Sequence, residues 1–147
     1  MHLLKIFIFI SIFTSLLKAQ TNQLPEVVSG KIDRIEHFKS EYITSRNIDI
    51  WLPEGYTESK KYAVLYMQDG QMLFDPEQTW NKLAWNIDDI ASKLIRQNNI
   101  KPFIVVGIWS NANTRHSDYY PQKPFENLTT TEKDTIIAQL KKAARTK

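Results

Sequence analysis

The sequence predicts an α/β fold, and three stretches carry that prediction. Tyr62–Met67 is a short uncharged run, mostly β-branched, aromatic or long apolar, that stops at Gln68-Asp69-Gly70. Such a run reads as a buried strand of a parallel sheet. Pro102–Ser110, PFIVVGIWS, is a second run of the same kind. Between them, Trp80, Leu83, Ala84, Ile87, Ile90, Ala91, Leu94 and Ile95 recur at helical spacing. Strand, helix and strand at these distances make a βαβ unit with a right-handed crossover.

The elements follow in order. Ile6 to Leu17 is an apolar run behind His2 and Lys5, broken only by Ser11, Thr14 and Ser15, and Lys18-Ala19-Gln20 offers a small residue for cleavage. This is the layout of a secretory signal peptide, expected over 1–19. The run is shorter than the about 20 residues of a membrane span, so no stable span is expected once it is cut. Residues 20–29 read as a polar linker with Pro25, and 30–147 as one domain. Of the formal net charge of +3, two charges belong to Lys5 and Lys18, which leaves +1 on the mature chain. That balance gives no reason to expect a nucleic-acid partner. With no cysteine in a secreted chain, disulfides play no part, and a periplasmic or extracellular location is expected.

Gly30–Phe38 is expected as a strand partnered by Arg46–Leu52, where Ile48, Ile50 and Leu52 alternate with Asn47, Asp49 and Trp51. The turn between them is placed at Ser45-Arg46-Asn47, and Pro53-Glu54-Gly55-Tyr56 ends the second strand. The helix is expected over Trp80–Gln97 with Thr79 as its N-cap. Asp88 and Asp89 read as solvated charges on it. Asn111–Leu128 is a long polar and aromatic loop with Pro121 and Pro124. Thr131–Ala144 reads as a last helix, opened by a capping box at Thr131–Asp134.

In open parallel sheets, chemistry sits beyond the carboxyl ends of the strands, so a site is expected at Gln68–Gln71. A family resemblance sharpens this. Ile50–Tyr56 (IWLPEGY), Val64–Gln71 (VLYMQDGQ) with Phe74-Asp75, Trp85, Ile104–Ile108, Arg115, Asp118-Tyr119 and Pro121, in this order, resemble the putative esterase family. The resemblance implies the α/β-hydrolase fold, with antiparallel first strands followed by a parallel βαβ unit in the order 1-2-4-3-5. It implies a serine ester hydrolase without cofactor or metal, acting on a small-molecule or glycan ester. It places one oxyanion donor at the main-chain N–H of Gln71, with Gly70 permitting the tight turn, and sets Asp69, Arg115 and Asp118 at the site mouth. The plainer reading of Arg115 and Asp118 is a local ion pair bracing a loop.

The triad is missing. The glycines are Gly30, Gly55, Gly70 and Gly107, so no G-x-S-x-G elbow exists. Ser110 follows Gly107 by three residues but lacks the flanking glycines of that turn. Beyond the leader the histidines are His37, a surface residue on a strand, and His116, which with Asp118 makes a poor metal set. The chain is therefore expected to be the front half of an esterase, incomplete and inactive alone. The apolar strand at 62–67 then becomes a sheet edge open to self-association. Two other readings stay open: a non-catalytic binding or assembly protein using the loop aromatics Tyr119 and Tyr120, and one half of a split hydrolase. Whether this chain by itself is an enzyme stays open with them.

Overall fold

A computed structural model describes residues 23–145. The leader read over 1–19 lies outside the described residues. Four strands form one sheet: β1 (Lys31–Phe38), β2 (Arg46–Leu52), β3 (Ala63–Gln68) and β4 (Phe103–Ile108). Their order is β1-β2-β4-β3. β1 and β2 are antiparallel, as are β2 and β4, whereas β3 and β4 are parallel. This is the mixed α/β sheet expected, with the first four strands of the order 1-2-4-3-5. Single 3-10 turns at Gly70–Met72 and Pro76–Gln78 follow β3. Helix α1 (Ile87–Arg96) returns the chain to β4. Three helices come after it: α2 (Arg115–Asp118), α3 (Gln122–Glu126) and α4 (Thr130–Arg145). Among the described residues no helix is long and apolar enough to cross a membrane.

The core gathers on Trp51, Leu73 and Val105, all fully buried, with Ile32, Phe74 and Ala91 around them. Phe103 meets Trp51 edge-on at 6.2 Å, and the Trp51 indole donates to the Ser29 carbonyl at 2.8 Å. In β2 the alternation holds, yet the expected apolar face is not the more buried one. Ile48 and Ile50 stay half-buried while Asp49 and Trp51 are sealed. A carboxylate can sit there because Arg34, its cross-strand partner, holds it bidentately at 2.6 and 2.9 Å and Trp109 Nε1 donates at 2.8 Å.

Several expectations change. β3 runs parallel as read but is not buried: Tyr66 is 69% exposed, and Val64 and Leu65 are also open, because β3 is the last strand of the described sheet. The turn expected at Ser45–Asn47 lies earlier, over residues 39–45, and Arg46 already begins β2. A bulge between Ile35 and Phe38 puts His37 in the left-handed region, φ 49°, with its N–H donated to Asn47 Oδ1.

The helix expected from Trp80 starts only at Ile87. Lys82 and Asn86 are left-handed, φ 57° and 50°, and break the helical path, while the Trp85 and Ile87 amides bond the Met72 and Leu73 carbonyls. Thr79 is no N-cap of that helix; its hydroxyl donates to the Pro76 carbonyl. Asp88 is not solvated as read. It is buried and accepts the Val28 N–H at 2.6 Å, whereas Asp89 is exposed. Asp75 likewise accepts the Glu26 N–H, so residues read as a linker are stitched to the domain by two buried carboxylates. The capping box of α4 sits two residues earlier than read. The Glu132 carboxylate accepts from the Thr129 N–H and hydroxyl at 2.9 and 2.6 Å, which lowers its pKa. The expected loop 111–128 contains α2 and α3.

Candidate active site

The parallel register sets the site. Gln68 pairs with Ile108, so the chain leaves β3 and β4 at the same end, and Asp69–Gln71 emerges beside Trp109–Ser110. Gly70 is seated on Gly107. A Cβ on Gly70 would lie 2.5 Å from the Gly107 carbonyl oxygen and 2.9 Å from Trp109 Cδ1. The left-handed residue of the turn is Asp69, at φ 55° and ψ 46°, and not Gly70. Gly70 is required for close approach, a different property of the same missing side chain.

Asp69 is held on three sides. Arg115 donates from Nε to Oδ1 at 2.8 Å and from Nη2 to Oδ2 at 2.6 Å. The Tyr119 hydroxyl donates to Oδ1 at 3.1 Å and accepts the Asp69 N–H at 3.3 Å. The Arg115 guanidinium also lies 5.0 Å from the Tyr119 ring centre. The Arg115 bonds bring the Asp69 carboxyl down to about 2, against the opposing effect of burial, with Ser110 and Tyr119 adding to the decrease. Because this value lies below the ordinary 3.8, the pair's contribution is complete above that pH and is lost as pH falls toward 2. Burial first, and then the Asp69 carboxylate, push the Tyr119 phenol up.

Gln71 follows on the second position of the 3-10 turn. Met72 and Leu73 donate to the Asp69 and Gly70 carbonyls, whereas the amides of the first two positions have no acceptor within such a turn. The Gln71 side chain is clasped by Ser110: its Nε2 donates to Ser110 Oγ at 2.7 Å and its Oε1 accepts the Ser110 N–H at 3.1 Å. A cleft of about 700 Å³ opens over these groups, lined by Asp69, Gln71, Met72, Trp80, Trp85, Ser110, Ala112 and Arg115.

Of the residues proposed from sequence, Asp69, Gln71 and Arg115 share the cleft. Asp118 does not line it. Arg46 donates to Asp118 Oδ2 at 2.6 Å and Thr114 to the same oxygen at 2.7 Å. Partial burial raises the Asp118 pKa, but these two bonds outweigh it and hold the group below its ordinary value. The local Arg115–Asp118 pair does not form, because each residue reaches back to the sheet, to Asp69 and Arg46 respectively. The loop aromatics offered as a binding surface are partly spent internally, Tyr119 on Asp69 and Tyr120 edge-on against Phe125 at 5.8 Å.

Sequence reasoning passed over Tyr119 as a partner of Asp69 and missed the Gln71–Ser110 clasp. It also missed Trp80 and Trp85 as cleft walls: Trp80 was assigned to the apolar face of a helix that does not form there, and Trp85 entered only through the family resemblance. Ser110 bonds Gln71 through both its hydroxyl and its N–H, and among the described residues no group of three metal-ligating side chains occurs.

A mixed sheet with its cleft beyond the carboxyl ends of two parallel strands makes this an α/β protein with an open-sheet cleft. The chain belongs to the putative esterase family, whose model matches residues 40–136. Among solved structures it is similar to a mutant feruloyl esterase module from Clostridium thermocellum complexed with sinapinate. That match has 20% identity and a TM-score of 0.42 over 65% of this chain and 34% of that one. It is also similar to a ferulic acid esterase from Anaeromyces mucronatus in complex with ferulic acid, at 25% identity and a TM-score of 0.41, covering 66% and 34%. The chain thus spans about a third of the length of either structure.

Proposed function

We propose that this chain supplies the oxyanion side and the mouth of a secreted carboxylic-ester hydrolase, with the Gln71 main-chain N–H as one donor. One observation carries the reading: Gly70 seated on Gly107 sets Gln71 in the cleft wall beyond the parallel strands. Acyl transfer places negative charge on the former carbonyl oxygen, and a fixed N–H aimed at that position lowers the barrier by about 2.7–4 kcal/mol. The remaining parts are a serine nucleophile, a histidine base and an acid that orients it. The chain has no elbow serine, and neither His37 nor His116 bonds Ser110. Those groups come from polypeptide outside this sequence, whether the rest of a longer gene product or a separate half. Residues 1–19 direct the product to the periplasm or exterior.

The experiment is hydrolysis of p-nitrophenyl acetate by the pure chain. The expected result is no turnover above that of its Ser110→Ala variant. Turnover that disappears with Ser110→Ala would show that the chain carries its own nucleophile and would overturn the divided-site reading.

A second reading, a non-catalytic binding module, draws on Trp80, Leu83 and Trp85, which are mostly exposed beside the cleft. The two readings differ at the β3 edge, since a stable module should not aggregate through it. The ester-hydrolase reading expects concentration-dependent association in sedimentation that Leu65→Lys on β3 weakens. A monodisperse monomer with a cooperative melt would favour the binding module.

A further inference from the structure

We infer that Asp69, Arg115 and Tyr119 are positioning residues that hold the Gln71 amide toward the cleft from one side while Ser110 holds its side chain from the other. What the held amide does rests on the ester-hydrolase reading; the holding itself does not. A non-glycine residue in the left-handed region persists where its surroundings over-determine it. Asp69 has that surplus: both carboxylate oxygens are engaged by one planar guanidinium, and the Tyr119 hydroxyl bonds both its carboxylate and its own N–H. Three of these four bonds come through the side chain, and the fourth fixes the peptide that enters the turn.

Position along the chain makes the effect directional. Asp69 is the residue before Gly70, so its φ and ψ set the plane of the peptides that follow. Gly70 cannot give way, because Gly107 lies against it. Gln71 then has its side chain anchored at both polar ends to Ser110, at the carboxyl end of β4. The turn is pinned to α2 before the glycine and to the strand β4 after it, and the Gln71 N–H is the group between the pins. Arg115 also lines the cleft, but its donors toward Asp69 are committed, so its part is to orient the turn.

The test is hydrogen exchange at the Met72 and Leu73 amides, which close the turn onto the Asp69 and Gly70 carbonyls. Asn tolerates the left-handed conformation as Asp does, so Asp69→Asn removes the ionic clamp without a new backbone penalty. Exchange at these two amides should quicken about 10- to 100-fold in Asp69→Asn while the β2 and β4 amides keep their rates. Arg115→Lys, which offers one point charge for two parallel bonds, should restore part of the protection that Arg115→Gln loses. Should Asp69→Asn fail to fold, Tyr119→Phe gives the same reading on a smaller scale, about 3- to 10-fold. Wild-type rates at Met72 and Leu73 in these variants, or a uniform acceleration across the sheet, would overturn the inference. A failed oxyanion role would show instead in the turnover of a complemented hydrolase, which this measurement leaves untouched.

Discussion

Asp49→Ala is expected to cost about 3–5 kcal/mol of folding stability, the usual consequence of removing one partner of a buried ion pair. Asp49 and the Arg34 side chain are almost wholly excluded from water, at 1% and 3% exposure. Without the carboxylate, the guanidinium keeps only the Gln23 carbonyl at 3.2 Å and the stacking of Trp109, whose indole N–H loses its acceptor. A domain of this size has about 5–15 kcal/mol in total, so the variant should approach the unfolded state. Urea denaturation measures this directly. Replacing both partners, Arg34→Met with Asp49→Leu, should recover most of the loss, because no charge is then left stranded. A single-variant cost under about 1 kcal/mol would mean that water reaches the pair, contrary to its burial.

Gly70→Ala is the second large effect, expected at about 2–3 kcal/mol, the upper part of the range for overpacking. The new methyl would meet main-chain atoms of Gly107 at 2.5 and 2.6 Å, and a main chain in a sheet cannot swing aside as a side chain does. Gly55→Ala makes the comparison. No atom lies within 4 Å of a Cβ there, but φ is +72°, so its cost is conformational only, about 1–2 kcal/mol. Gly70→Ala should also move the turn off β4 and weaken the Gln71–Ser110 clasp, seen as faster exchange at the Ser110 amide. If its urea midpoint stayed at the wild-type value, the close seating of the turn on β4 would be wrong.

The two ion-pair systems differ in kind. Arg34 and Asp49 are sealed under the sheet, and their loss is a matter of folding. Arg115 is about 41% exposed at the cleft, so water screens its pair with Asp69 and the global stability at stake is smaller. Its value lies in local order, which is why hydrogen exchange, rather than denaturation, is the measurement that reads it.

Much of the fold was legible because it rests on short-range patterns. Val64–Met67 and Phe103–Ile108 are apolar enough to be strands in any context. β2 alternates as written, and the helical spacing of Ile136, Ile137 and Leu140 marks α4, although its capping box was read two residues late. The motifs around Asp69-Gly70 and Gly107 also carried the resemblance to the family that residues 40–136 match. Helical spacing misled at Trp80–Asn86. The pattern is apolar at the right intervals, but the carbonyls of Met72 and Leu73 take the amides of Trp85 and Ile87 and hold the segment out of the helix.

The sequence by itself determined the four strands, the parallel βαβ unit, the absence of an elbow serine within these residues, and the tight turn after β3. Each is a property of neighbouring residues or of residue types. Only the tertiary structure decided which charges pair. Asp69 with Arg115 are 46 positions apart, and Arg46 with Asp118 are 72 apart. Nothing local distinguishes these partners from the nearer pairing of Arg115 with Asp118. Burial of Asp49 and Asp88, and the seating of Gly70 on Gly107, likewise depend on which main chains the sheet brings within contact. A carboxylate is buried or solvated according to the donors that reach it, and those donors come from strands and segments distant in sequence.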